Sequence, residues 1–376
     1  MKIGILTHPL TVNYGCLMQA YALQKVLRDM GHDVYTIDLQ YRYKYGSVIH
    51  QILGWLKRLC LHFLGNKSIP TAFHPSLTIK QENIIAQNTR PFTQRHIRTT
   101  RRIFHNDELP ELDNEYKFDA YVVGSDQVWL PYMSPWMFLS FVKRPEVKRF
   151  AYAASFGTDT WRFTPGQTQE CNKYAKMFNK ISVREDSGVK LCKDFLGVEA
   201  QHVLDPTLLL NKNNYMSLIK KSYDGNRTLF SYVLDKSEDK IEFVEFMAKE
   251  KGLKIVTCMS EDKLIPGVTK DFSKCIYPSV DKWLNGFNNA EFVVTDSFHG
   301  TVFAIIFNKQ FVTIGNERRG MARFESLLKM FGLEDRLVTD FVDIVPLLSR
   351  QINFNHVNKL IEKYKIESIK FLENIC

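Results

Sequence analysis

The sequence lacks the marks of several familiar protein classes. Its seven cysteines, at positions 16, 60, 171, 192, 258, 275 and 376, are scattered and odd in number. There is no CxxC and no Cys/His cluster, so a zinc finger, a redox dithiol and a small disulfide scaffold are all excluded. Such cysteines fit the reducing cytoplasm better than a secreted setting. No run of about 18 uncharged apolar residues occurs, so no transmembrane helix is expected. The opening Met1-Lys2-Ile3-Gly4-Ile5-Leu6-Thr7 is too short an apolar run for a signal peptide and reads as a first buried strand. GxGxxG, Walker A, HExxH and GxSxG are absent, which removes the motifs for nicotinamide, ATP, zinc-protease and α/β-hydrolase chemistry. No metal and no cofactor is expected. Repeats of roughly 20–50 residues and low-complexity tracts are missing as well.

What is present suits a soluble globular protein. The 376 residues are 45% hydrophobic and 24% charged. At about 100–200 residues per domain, that length suggests two domains or one large one. The net charge of +9 is unevenly spread: between Tyr41 and Arg102 eleven Lys or Arg face the single acid Glu82. That segment alone carries +10, so the rest of the chain is close to neutral. A basic character confined to one segment, without a reader motif, argues against a nucleic-acid partner.

The hydrophobic pattern alternates between periods of two and 3.6. Ile3–Thr7 reads as a strand and Asn13-Tyr14-Gly15 as a turn. Cys16, Ala20, Leu23, Leu27 and Met30 then fall on one helix face that Gly31 ends, and Val34–Leu39 is the next strand. Residues 41–110 break the rhythm and read as a helical, basic insertion. Further strands are expected at Ala120–Val123, Arg149–Ser155, Lys180–Val183 and Val203-Leu204, and a second series at Thr228–Val233, Lys254–Cys258, Phe292–Thr295 and Phe311–Ile314, each followed by helix or turn. The fold class predicted is α/β: two Rossmann-like, doubly wound domains facing a cleft. The first would span 1–210 with the insertion at about 41–110, and the second 211–349. A last helix within 350–376 would cross back onto the first.

Polar residues gather where strands stop, which is where such sheets bind ligands. Thr295-Asp296-Ser297-Phe298-His299-Gly300-Thr301 opens an apolar helix and suits an anion at its backbone N–H groups, with His299 as a proton carrier; Asp296 and Ser297 suit helix capping equally well. Arg184, after Lys180–Val183, offers a planar fork for carboxylate or phosphate, or a surface pair with Glu185. Asp126, within Gly124-Ser125-Asp126-Gln127, is placed to orient a hydroxyl or simply to make a turn. Arg318, Arg319 and Arg323 follow another strand as a basic loop.

These pieces in this order resemble the polysaccharide pyruvyl transferase family. The resemblance rests on Lys2-Ile3-Gly4-Ile5 with Asn13-Tyr14-Gly15, on Gly124-Ser125-Asp126-Gln127-Val128-Trp129, on Ser182-Val183-Arg184-Glu185, on Leu204-Asp205-Pro206-Thr207 and on Ser297-Phe298-His299-Gly300. It implies a GT-B-like fold and the transfer of pyruvate from phosphoenolpyruvate to two hydroxyls of a sugar, forming a ketal, in cell-surface polysaccharide synthesis. It also implies that an Arg at the position of Arg184 and an Arg-Leu-His trio bind phosphoenolpyruvate. His299 matches the end of that trio, but Ser297 and Phe298 stand at its first two places. Arg319 or Arg323 is then expected to supply the missing charge. His299 and Asp126 are the catalytic candidates; Asn13, Gly15, Ser125 and Gln127 should face the acceptor. The alternative is a GT-B-like glycosyltransferase using a nucleotide sugar. The resemblance further implies acceptors that are in some cases lipid-linked. The apolar face and basic groups of 47–64 would suit peripheral contact at the inner face of a membrane.

Overall fold

The computed structural model describes residues 1–40, 48–64, 77–220, 227–316, 320–341 and 349–375. The first half runs β1 (Lys2–Leu6), α1 (Tyr14–Asp29), β2 (Asp33–Thr36), α2 (Val48–Phe63), α3 (Ile79–Ile85), α4 (Arg90–His96), α5 (Leu109–Tyr116), β3 (Ala120–Val123), β4 (Lys148–Ala154), α6 (Pro165–Ala175), β5 (Lys180–Val183), α7 (Asp186–Leu191) and β6 (Gln201–His202). Its strands pair in parallel in the order β2-β1-β3-β4-β5-β6. The second half runs α8 (Lys212–Met216), β7 (Thr228–Tyr232), α9 (Glu238–Lys251), β8 (Lys254–Thr257), α10 (Val280–Asn289), β9 (Ala290–Thr295), α11 (Phe298–Ile306), β10 (Gln310–Ile314), α12 (Ala322–Phe331), β11 (Leu337–Val338) and α13 (Phe354–Glu373). These strands are also parallel, in the order β11-β10-β9-β7-β8.

Buried sheets need apolar residues on both faces, and β3, Ala-Tyr-Val-Val, is buried throughout. The same holds for α11, whose nine residues are all buried, as expected of a helix apolar on every side. One apolar cluster joins the halves: Tyr14 at the start of α1 stacks on Trp283 of α10 at 5.3 Å, and Trp283 meets Phe303 of α11 at 4.7 Å. Aromatic pairs of this kind add about 0.5–1.5 kcal/mol beyond area burial. The last helix, α13, touches the first half, where Phe371 lies 6.0 Å from Tyr152 and Ser368 Oγ accepts the Leu204 N–H at 3.0 Å.

Two local expectations shift. Tyr14 and Gly15 belong to α1 and not to a turn, because Asn13 is the N-cap and its side chain accepts the Cys16 N–H at 3.3 Å. The strand expected at Val203-Leu204 pairs two residues earlier, at Gln201–His202, since the Leu204 N–H goes to Ser368. Within 41–110 the described residues form α2, α3 and α4, while 97–103 runs beside the end of β2 through bridges at Thr36–Thr99 and Leu39–Ile103. No helix among the described residues is long and apolar enough to cross a membrane.

Candidate active site

Each sheet changes its direction of growth once, between β1 and β3 and between β7 and β9. A crevice opens beyond the strand ends at such points, and here the two crevices meet. From the β1 end, Thr7 Oγ1 donates to Ser125 O at 2.9 Å and accepts from Gln19 Nε2 at 2.9 Å, while His8 Nε2 lies 3.0 Å from Gln127 O. From the β3 end comes Asp126, which holds a left-handed φ of +82°. That conformation is costly for a residue with a Cβ and clusters at functional sites. Its carbonyl accepts from Val128 N–H (2.7 Å) and Ser155 N–H (3.1 Å), and its carboxylate from Gln127 N–H (2.9 Å) and the Cys16 thiol (3.1 Å).

Arg184, at the end of β5, has a side chain 2% exposed and faces three carboxylates. Nη1 donates to Asp205 Oδ2 at 3.1 Å and Nε to Glu185 Oε1 at 3.4 Å, while Nη2 lies 3.6 Å from Asp126 Oδ1. The Phe298 ring lies under the guanidinium at 4.1 Å, and Arg323 of α12 approaches the same ring at 5.8 Å. Asp205, just past β6, is the hub. Its Oδ2 accepts from Ser125 Oγ at 2.8 Å as well as from Arg184, and sits 3.6 Å from His299 Nε2. Its Oδ1 accepts from Thr207 N–H (3.0 Å) and Oγ1–H (2.6 Å). Two buried donors, Arg184 Nη2 and His299 Nε2, make no hydrogen bond among the described residues.

The charges tune one another. Burial alone would raise Asp126, but His8, Arg184, His299 and Arg323 outweigh it and hold the carboxyl well below the usual range. Asp205 is likewise held low, its burial outweighed by His299, Arg184 and the Thr207 hydroxyl. Burial, with Asp126 beside it, pushes the Cys16 thiol well up, so Cys16 is a neutral hydrogen-bond donor and not a nucleophile.

Close approach between the halves is made by glycines. A Cβ on Gly15 would fall on His299 Nδ1 and 2.6 Å from its Cγ. Gly320, at φ +89°, sits against the Gly157 carbonyl, and a Cβ on Gly157 would lie 2.8 Å from Gln127 Cδ.

Of the residues singled out from the sequence, Gly15, Ser125, Asp126, Arg184, Phe298, His299 and Arg323 converge here, and Gln127 borders them through His8 and Gly157. Asn13 is exposed and caps α1. Ser297 Oγ caps α11 by accepting the Gly300 N–H at 3.3 Å. Asp296 ties down the loop after β7, accepting from Leu234 N–H (2.6 Å), Asp235 N–H (3.1 Å) and Lys240 Nζ (2.8 Å). Arg319 lies outside the described residues. Asp205, Glu185, Cys16 and His8 had no role assigned from sequence, although Leu204-Asp205-Pro206-Thr207 carried the signal of an acid at a strand end. No group of three or more His, Cys, Asp or Glu among the described residues is arranged to hold a metal ion.

Two parallel-sheet α/β halves meeting at their carboxyl edges make this a GT-B-type molecule. The structure is similar to the glycotransferase of kitacinnamycin (10% identity, TM-score 0.51, covering 100% of this chain and 98% of that one). It is also similar to UDP-GlcNAc 2-epimerase from Neisseria meningitidis bound to UDP-GlcNAc (8% identity, TM-score 0.50, covering 100% and 99%). At these identities the likeness is one of fold. No curated protein sequence matches the chain. The family model for polysaccharide pyruvyl transferase matches residues 13–318, and the chain belongs to that family.

Proposed function

We propose that the enzyme transfers pyruvate from phosphoenolpyruvate to two hydroxyls of a saccharide, releasing phosphate and leaving a cyclic ketal. The observation that carries this reading is the pair of buried donors that lack a hydrogen bond, Arg184 Nη2 and His299 Nε2, each held only at 3.6 Å from a carboxylate, at the joint of both crevices. Buried donors of this kind are what a small anion with carboxylate and phosphate groups recruits. Arg184 is the donor clamp. Arg323, already beside the Phe298 ring, takes over the charge of the family arginine that Ser297 does not supply, with Arg319, outside the described residues, as a second source.

His299 acts as the acid that places a proton on the methylene carbon of the donor, which makes C2 electrophilic. One sugar hydroxyl adds to C2 and gives up its proton. The C2–O bond to phosphate then breaks, and a second hydroxyl closes the ring with loss of its proton. Asp126, ionised throughout the neutral range, orients the hydroxyls, with Ser125, Gln127, Asn13 and Gly15 on the acceptor side. Three carboxylates stand against the guanidiniums of Arg184 and Arg323, so the donor's carboxylate and phosphate must compete with them for these two side chains.

The test is titration calorimetry with phosphoenolpyruvate, followed by phosphate release and product mass with a panel of free and lipid-linked galactosides, glucosides and mannosides. Binding in the wild type, weakened about tenfold or more by Arg323→Ala, is expected, with a pyruvyl mass gain on one acceptor. No binding of phosphoenolpyruvate, together with turnover of a nucleotide sugar, would transfer the assignment to a glycosyltransferase.

The acceptor is proposed to lie at a membrane surface that α2 touches. Support comes from its exposed apolar stripe: Ile49 is 69% exposed, Leu53 60%, Phe63 76% and Leu64 83%. Lys57 and Arg58 lie on the same helix within the basic segment. Such a helix beds in the interface, its cations meeting anionic headgroups. Co-sedimentation with phosphatidylglycerol vesicles at low salt is expected for the wild type and lost for Leu53→Glu/Phe63→Glu. Wild-type protein that stays in the supernatant sinks the idea.

A further inference from the structure

The loop that leaves the carboxyl end of β4 passes Ser155 and Gly157 at the candidate site. Four residues beyond Gly157 it reaches Trp161. There the indole stacks with two phenyl rings, Phe163 at 4.5 Å and 23° and Phe195 at 4.7 Å and 1°. Trp161 Nε1 donates to Thr168 Oγ1 at 2.8 Å, which fixes the ring in its plane. Phe195 sits on the turn Cys192–Leu196 that follows α7 and keeps 39% of its surface exposed. Together these rings line a shallow groove of about 470 Å³ whose other walls include Thr168, Gln169 and Asn172. Asn172 Nδ2 donates to Leu196 O at 2.8 Å, so its amide is held in place too.

We infer that this groove is a saccharide subsite, which holds sugar units of the acceptor polymer outside the reacting centre. A pyranose has an apolar C–H face and a rim of hydroxyls. The groove offers the complement: rigid aromatic surface bordered by the amides of Gln169 and Asn172, while the Thr168 hydroxyl is taken up by Trp161 Nε1 and Thr164 O. A lipid chain would need apolar walls on every side, and an extended peptide would need a free strand edge. The rings are already stacked and locked, so binding pays little ordering entropy. The position agrees as well. Four residues span at most about 14 Å, so a polymer entering the cleft past Gly157 has this surface beside it. The inference rests on the acceptor being a polysaccharide; it does not depend on which donor is used.

The test uses the full-length protein labelled with 5-fluorotryptophan. Its five tryptophans give separable fluorine resonances, and Trp161→Phe assigns the one of interest. The probes are hexasaccharides of β-1,4-glucan, β-1,3-glucan, β-1,4-mannan and β-1,4-galactan, each against its monosaccharide. Ring-face stacking tolerates changes of hydroxyl configuration, so at least one hexasaccharide is expected to move the Trp161 resonance. It should bind about tenfold more tightly than the monosaccharide, the equivalent of about 1.4 kcal/mol. Phe195→Ala is expected to weaken that binding about tenfold while leaving phosphoenolpyruvate affinity unchanged, and Gln169→Ala, an exposed change that spares the ring stack, provides a second variant. If none of the hexasaccharides moves the resonance while phosphoenolpyruvate still binds, the subsite is overturned and the donor assignment stands. If a hexasaccharide moves it and phosphoenolpyruvate does not bind, the donor assignment fails and the subsite stands.

Discussion

Replacing Gly15 by alanine is expected to lower turnover at least about a hundredfold while the chain stays folded. Gly15 lies in the first turn of α1, and its φ is not among the positive ones. Helix propensity therefore favours alanine there by about 0.5–1 kcal/mol. The obstacle is long-range: the new methyl would fall on His299 Nδ1, 2.6 Å from Cγ and 3.0 Å from Cβ. Neither backbone can yield easily, since thirteen residues of α1 and all nine of α11 are buried. What moves is the His299 ring or the separation of the two halves. Overpacking of this size costs roughly 1–3 kcal/mol, which a domain of this size survives. Either movement breaks the alignment of His299 Nε2 with Asp205. A misplacement of about 1 Å in a reacting group costs about 100-fold. Steady-state kinetics beside a thermal melt separate the two effects. A variant with full turnover and an unchanged melting temperature would mean that the contact is not required and that His299 is not the proton carrier.

The example also shows which parts of this molecule are legible in one dimension. Both sheets, nearly every strand and the α11 start were readable, because each depends on periodicity within a few residues and on polar groups at a strand end. The places of Arg184, Asp126 and His299 at the ends of elements are readable for the same reason. The contacts that make them one site were not. Gly15 and His299 are far apart in the chain, and no local pattern distinguishes a glycine that admits a histidine ring from one that merely starts a helix. Asp296 illustrates the converse. It stands in the Thr295–Thr301 motif, yet it is fully buried against Lys240 and two backbone N–H groups of the loop after β7, because β9 ends one residue before it. Asp205 was visible only as part of a motif. Its importance comes from what surrounds it: five donor groups, from Ser125, Arg184, Thr207 and His299, lie within 3.6 Å of its two oxygens.

Those five donors make Asp205→Asn the most damaging isosteric change available, with an expected loss of about 10³ in turnover and weaker phosphoenolpyruvate binding. An amide brings an N–H₂ where the carboxylate had an acceptor. Turned toward Oδ2, that group faces Arg184 Nη1 and His299 Nε2; the Ser125 hydroxyl can rotate to accept from it, but a guanidinium cannot. Turned toward Oδ1, it faces Thr207, whose hydroxyl can rotate but whose backbone N–H cannot. Both orientations leave a donor against a donor, and both remove the charge that steadies Arg184 and His299. Taking one partner out of a buried ion pair costs roughly 3–5 kcal/mol; Glu185 and Asp126, still beside Arg184, hold the expected value to the lower end. The charge leaves a signature in pH. The folded protein holds Asp205 well below the usual carboxylate range. Its contribution is therefore complete above the unfolded value of about 3.9 and is lost as pH falls from there through the folded value. Urea unfolding of wild type and Asp205→Asn should differ most near neutral pH, and the gap should narrow steadily below about pH 4. A gap that stayed constant into that acid range would show that shape and not charge is what Asp205 supplies. The loss of turnover would then have to come from displaced packing around Thr207 and not from an Arg184 and a His299 set adrift.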